Sequence, residues 1–354
     1  MLASLRDARD LGSVECTGRE SNPGHELGKL MCYHYTTGAH SEGSRPVHFK
    51  IALRYTGRTS RTTGSRESIS PSGRYEHPMA NTEATMGKTG VDLTLSEGEL
   101  EAHRETITAF ITEVVEDAGA EGAVLGLSGG IDSTLTAHLA VEALGPEGLY
   151  GLVMPSEVNR AENMSDAERV AEGLGIEYDV IAIDPIAERF VEAYPDGEDD
   201  RMALGNVYVR TRAVLNYLAA NERNRIVLGT GNRTEAMTGY FTKYGDQAVD
   251  CNPIGNLYKC QVRQLATHLG VPEDLVEKPP SAGMWEGQTD EEEMGLEYDT
   301  VDGILALHVD GPLSRSATKR TLGVREEAID RVVDLYERSE HKRHMPPAPA
   351  DLGP

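Results

Sequence analysis

Residues Leu125 to Ser133 read LGLSGGIDS, and their order could hold a phosphate. An apolar run, Ala123–Leu127, stops at Ser128-Gly129-Gly130, and a helical pattern opens at Asp132-Ser133. A strand that ends in paired glycines and starts a helix aims several unpaired backbone N–H groups at one point. The electropositive helix start makes that point an anion site. Gly129 and Gly130 allow close approach of the backbone. Ser128 and Ser133 add hydroxyl donors, and Gly126, Leu127 and Ile131 complete the stretch. Asp132 puts a carboxylate beside the phosphates, which is sensible chemistry if Mg²⁺ lies between them. A bare Gly-Gly turn would be an ordinary strand-to-helix connection. The full SGGIDS is more specific, and it lacks the GK[ST] ending of a Walker loop.

Further motifs carry complementary groups. LGTGNRTE, residues 228–235, repeats the strand, turn and helix-start pattern. Thr230 there could meet a nucleotide, and Glu235 could give a metal its second carboxylate; alone, the motif is also a plain capped helix start. GYFTKYGD, residues 239–246, sets aromatics beside Lys243 and Asp246, with Asp250 following, as either a substrate loop or a solvated charged one. Lys259 and Arg263 in LYKCQVR lie one helical turn apart, on a surface face or a phosphate-binding one. KPPSAGMWEGQ, residues 278–288, is a shaped loop in which Ser281 is a candidate donor. SEHKRHM, residues 339–345, concentrates positive charge at His341-Lys342-Arg343-His344, which suits a helix C-terminus or an anionic substrate.

The elements around these motifs alternate. Ser96 and Glu99 fit a capping box before a helix whose apolar positions run from Leu100 to Ala118. Strands are predicted at 123–127, 148–154, 177–183 and 225–228. Helices are predicted from Asp132 to Leu144, at 161–174, near 186–193, 202–221 and 261–269, in one long piece near 290–308, and at 324–340. Alternation of this kind predicts an α/β fold, a doubly wound parallel sheet with flanking helices. Ligands in such sheets bind beyond the strands' carboxyl ends, where Ser128–Ser133 falls.

Composition narrows the classes. Net charge is −24. Residues 1–85 carry 11 basic against 9 acidic groups, while the remaining 269 carry 23 against 49. The acidic body argues against nucleic-acid binding and fits a protein working in concentrated salt, a halophilic source. Residues 1–85 hold 28 Ser, Thr and Gly with no persistent period, which predicts disorder. That segment reads as a partner-binding arm or as a mis-assigned start, with translation beginning at Met86. A folded domain is expected over 86–345, and a tail over 346–354. The four cysteines, Cys16, Cys32, Cys251 and Cys260, form no CxxC and no zinc spacing. A reducing cytoplasmic setting is expected, with no membrane span and no secretory signal.

SGGIDS resembles the pyrophosphate loop of the N-type ATP pyrophosphatases. All the motifs together, from about Leu100 to Arg343, resemble the NAD synthetases. The resemblance implies an adenine nucleotide alpha-hydrolase-like fold and a ligase. It would adenylate the nicotinate carboxylate of nicotinic acid adenine dinucleotide (deamido-NAD), release pyrophosphate, and then let ammonia displace AMP, the last step of NAD biosynthesis. By resemblance, Gly126–Ser133, Thr230, Lys259 and Ser281 bind ATP, and Asp132 and Glu235 hold Mg²⁺. Arg210, Lys243, Asp250, His341 and Lys342 bind deamido-NAD. Asp246 orients ammonia or accepts a proton, and together with Lys259 makes up the catalytic pair. Two positions depart from the usual pattern: Ser281 stands where Thr is common, and Val209 where Ala is. No fused amidase is legible in residues 1–85, so free ammonia is the expected nitrogen source. A homodimer is implied, with the helix at 202–221 contributing to it.

Overall fold

The computed structural model describes residues 93–156, 162–197, 199–281 and 289–349. The expectations for residues 1–85, and for Trp285 within the 278–288 loop, lie outside the described residues. Helix α1 (Glu97–Ala118) starts on the expected Ser96/Glu99 capping box. It is followed by β1 (Ala123–Leu127), α2 (Ile131–Leu144), β2 (Leu149–Val153), α3 (Glu162–Leu174), β3 (Glu177–Val180), α4 (Asp184–Ala193), α5 (Arg201–Glu222) and β4 (Ile226–Leu228). The four strands make one parallel sheet in the order β3-β2-β1-β4.

Period-two alternation splits the inner strands between two cores, while edge strand β3 packs only Tyr178. Ala123, Leu125 and Leu127 join α1, α2 and α3 on one face, while Val124, with Tyr150, Leu152 and Val227, packs toward α5 on the other. Side chains buried on both faces require helices on both faces, which is the doubly wound arrangement. The chain runs outward through β1, β2 and β3, returns through α4 and α5, and adds β4 on the free side of β1. The order therefore reverses between β1 and β4, and a crevice opens beyond their carboxyl ends.

The C-terminal part continues as α6 (Arg233–Thr238), α7 (Lys259–His268), α8 (Glu273–Val276), α9 (Asp290–Met294), α10 (Tyr298–Ile304), α11 (Arg315–Leu322) and α12 (Glu326–Arg338). Helix α7 joins the first core, while α6, α10, α11 and α12 share a separate one centred on Val301, Ile304, Ile329 and Val332. The long helix expected near 290–308 is broken. Gly295 adopts φ +75 and ends α9, Glu297 starts α10, and a π turn at Leu305–Val309 follows. Helix α11, capped by Ser314, falls where no helix was expected. Strand β3 stops at Val180 rather than 183 because Asp184-Pro185 opens α4. Among the described residues, no helix is long and apolar enough to cross a membrane.

One turn locks the end of α6 against the end of α12. Gly239 ends α6 at φ +70, and a β-carbon there would lie 2.0 Å from Ser339 Cβ, just beyond α12. Its carbonyl accepts from Lys342 Nζ at 2.8 Å. Gly239→Ala is expected to cost at least about 2 kcal/mol in urea unfolding, through left-handed strain and overpacking. The wild-type stability in that variant would contradict this packing.

Candidate active site

The crevice beyond β1 and β4 is a cavity of about 680 Å³. Its wall brings together Gly126, Leu127, Ser128, Gly130, Ile131, Asp132, Ser133, Thr230, Glu235, Lys259 and Ser281, with Arg210, Lys243, Asp246 and Lys342. Residues up to 216 positions apart in sequence from these motifs thus share one space.

The SGGIDS turn is built for an anion. Gly129 takes φ +73, and no side chain caps α2 at Gly130. The first amides of α2 therefore remain for a ligand. Ser133 Oγ donates to the Gly130 carbonyl at 3.0 Å and lies 3.0 Å from Ser128 Oγ, so the two hydroxyls brace the loop from within.

Beside that turn sits a charged centre. Lys259 is 1% exposed. Its ammonium donates to Asp132 Oδ2 at 2.5 Å and Glu235 Oε1 at 3.2 Å, bridging the ends of β1 and β4. Asn232 ties the same two residues: its Nδ2 donates to Asp132 Oδ1 at 2.8 Å, and its Oδ1 accepts from the Glu235 amide at 2.9 Å. Helix α7 is held so that this reach is possible. The Lys259 amide donates to Thr234 Oγ1 at 2.9 Å, and Thr234 donates to buried Asp302. The Tyr298 ring lies 5.3 Å from Lys259 Nζ, and Tyr298 Oη donates to Asp290 Oδ2 at 3.0 Å.

Charge at this centre does not balance. Asp132, Glu235 and Asp290 face one ammonium. Burial alone would push Lys259 down, but Asp132 and Glu235 hold it above its ordinary range. Glu235 is pushed up, first by burial and then by Asp132 and Asp290, against the pull of Lys259. A hard-oxygen donor set that already confines a cation and still lacks positive charge fits Mg²⁺.

The opposite wall is the 239–250 loop. Lys342 Nζ donates to the Gly239 and Phe241 carbonyls, each at 2.8 Å. Lys243 Nζ donates to the His341 carbonyl at 2.7 Å, and Arg210 donates to the Lys243 carbonyl at 3.1 Å. His341 does not line the cavity, and neither do Gly129 and Asp250. Asp250 instead accepts from the Val227 amide at 2.7 Å and from Tyr217 Oη at 3.2 Å, fastening its segment alongside β4. Sequence reading passed over Asn232, Arg212, Lys278 and Asp290. LGTGNRTE contains Asn232, Arg212 lies two residues after Arg210, and the N-x-x-E spacing of Asn232 and Glu235 is a capping-box signal.

Asp246 opens onto the cavity's solvent but is ringed by protein, and desolvation by those walls pushes its carboxyl up to about 6. The folded state therefore favours the neutral form, so its contribution to stability falls as pH rises from the ordinary carboxylate value through about 6. Chemical denaturation across pH is expected to show wild type losing stability relative to Asp246→Asn over that interval and no further change above it. A constant difference between the two would contradict the shift.

Comparison with known proteins agrees with this geometry. Residues 103–346 match the family model described as NAD synthase. An NH(3)-dependent NAD(+) synthetase of Halobacterium salinarum is 60% identical over 259 residues, spanning 73% of this chain and 97% of that protein. Its counterpart in Methanocaldococcus jannaschii is 47% identical over 245 residues, 69% of this chain and 94% of that protein. Among solved structures, an NMN synthetase from Francisella tularensis aligns with TM-score 0.62 and 37% identity, covering 71% of this chain and 98% of that one. An NH3-dependent NAD synthetase from Campylobacter jejuni aligns with TM-score 0.60 and 31% identity, covering 71% and 99%. Two strand-to-helix turns flanking a reversal in a parallel sheet, one lysine shared between them and matches of this extent have a single explanation: the chain belongs to the NAD synthase family.

Proposed function

We propose that the chain is an ammonia-dependent NAD synthetase, a ligase that amidates deamido-NAD at the expense of ATP. The observation that carries this reading is the Lys259 bridge between Asp132 and Glu235, set beside an uncapped helix start. It supplies both charge control and phosphate amides at one point. In the first step a nicotinate carboxylate oxygen attacks the α-phosphorus, and the bond to the β-phosphate oxygen breaks with its electrons leaving on pyrophosphate. In the second, ammonia attacks the acyl carbon, AMP departs with the C–O electron pair, and a proton is lost from nitrogen.

The residues divide accordingly. The amides of 128–133 and the Thr230 and Ser281 hydroxyls hold ATP, and Lys259 sets the charge beside its phosphates. Asp132 and Glu235 would hold Mg²⁺, which would supply positive charge to offset the repulsion of the two anionic reactants. Arg210, Lys243 and Lys342 hold the anionic dinucleotide. His341 acts on it through Lys243, and Asp250 by fixing β4. Asp246 accepts the proton from nitrogen or orients ammonia. A homodimer is favoured by exposed apolar side chains on α4 and α5 and at the cap of α4: Phe190, Tyr194, Met202, Val214 and Leu218. The acidic composition suits activity in molar KCl.

Purified protein with ATP, Mg²⁺ and deamido-NAD in molar KCl is expected to form NAD with ammonia and far less with glutamine. The corresponding mononucleotide is compared in parallel, because one similar structure is named NMN synthetase. Asp132→Asn should lower AMP release by about a hundredfold or more while circular dichroism stays unchanged. No NAD from any of these substrates would refute the reading, and a fully active Asp132→Asn would refute the metal assignment.

A further inference from the structure

Lys278 lines the cavity but has no part in the chemistry above. It precedes Ser281 by three residues, with Pro279-Pro280 stiffening the stretch between them. Its ammonium donates to Asp166 Oδ2 of α3 at 2.7 Å. Asp166 also pairs with Arg169 at 3.2 Å, and Arg169 is held in turn by Asp274 at 2.6 Å. Helix α3 follows β2, whose last residue, Val153, lies in register with Leu127 immediately before SGGIDS. Lys278 therefore shares the cavity wall with the SGGIDS turn while it is held by the helix that follows β2.

The charge at the centre gives this placement a purpose. A divalent cation and Lys259 together balance Asp132, Glu235 and Asp290 and leave nothing over for a triphosphate. The charge building on pyrophosphate as its bond to the α-phosphorus breaks needs another cation, and backbone amides carry only partial charges. Arg212 is committed elsewhere, with Nε on the Met154 carbonyl at 3.1 Å and its charge set against Asp184.

We infer that Lys278 is a catalytic residue of the adenylation step, parked on Asp166 in the free protein and transferred to the β- and γ-phosphates when the nucleotide enters. Asp166 keeps a second partner when Lys278 leaves, because Arg169 pairs with it and is itself held by Asp274. The inference rests on the proposed nucleotide site but not on the identity of the acyl substrate.

The test uses the full chain in molar KCl with Mg²⁺, reading inorganic pyrophosphate binding by calorimetry and AMP release under saturating substrates. Lys278→Met is expected to weaken pyrophosphate binding about tenfold or more and to slow AMP release, with Lys278→Arg close to wild type. Asp166→Asn, which frees Lys278, is expected to bind pyrophosphate at least as tightly as wild type. A merely structural ion pair makes the two variants fall together, so parallel weakening in Lys278→Met and Asp166→Asn overturns the inference. So does pyrophosphate binding by Lys278→Met within twofold of wild type. A wild type that binds pyrophosphate yet forms no NAD refutes the functional reading alone, because the binding comparison still decides the role of Lys278.

Discussion

The arrangement depends on one buried ammonium. Lys259 joins a carboxylate from the first turn of α2, after β1, to another from the first turn of α6, after β4. Without a cation between them, Asp132 and Glu235 would repel in a partly desolvated crevice, and the two turns would not close on one point. Everything around the lysine serves that placement. Thr234 and Asp302 hold the start of α7, Asn232 clips both carboxylate residues, and Tyr298 provides the floor. The centre is also short of positive charge: Asp132, Glu235 and Asp290 face a single lysine.

The fold supplies the coincidence of turns that this bridge exploits. Parallel strands present all their carboxyl ends on one side, and the reversal of winding between β1 and β4 leaves a gap there. The uncapped start of α2 faces that gap. The C-terminal helices, with their own small core, bring Lys342 back across the chain to the 239–250 loop. The cavity wall thus draws its cations from several elements: Arg210 from α5, Lys243 from the 239–250 loop, Lys259 from α7 and Lys342 from the segment after α12.

Much of this was legible in the sequence because the signals were local. Apolar runs flanked by glycine turns marked the strands, and SGGIDS and GTGNRTE marked the strand ends that matter. Local signals failed where tertiary contacts decide. The 290–308 stretch keeps helical composition through Gly295, whose left-handed conformation breaks it. Helix α11 is short and polar, with only Ser314 and Gly323 to mark its ends. Spacing could nominate Asp132, Glu235 and Lys259 but not reveal that the lysine touches both acids. Nor could it show that His341 and Asp250 stay off the cavity wall, or that Asp290 and Lys278 line it, since each depends on how distant helices pack.

The central claim is that Lys259 couples to Asp132 as a charge partner, and a double-mutant cycle on stability in EDTA measures that coupling directly. Asp132→Asn is expected to destabilise the chain when Lys259 is present. In the Lys259→Met background it should instead stabilise, because it then relieves repulsion from Glu235 and Asp290. The coupling should exceed about 1 kcal/mol. Effects that add to within about 0.5 kcal/mol would contradict the account.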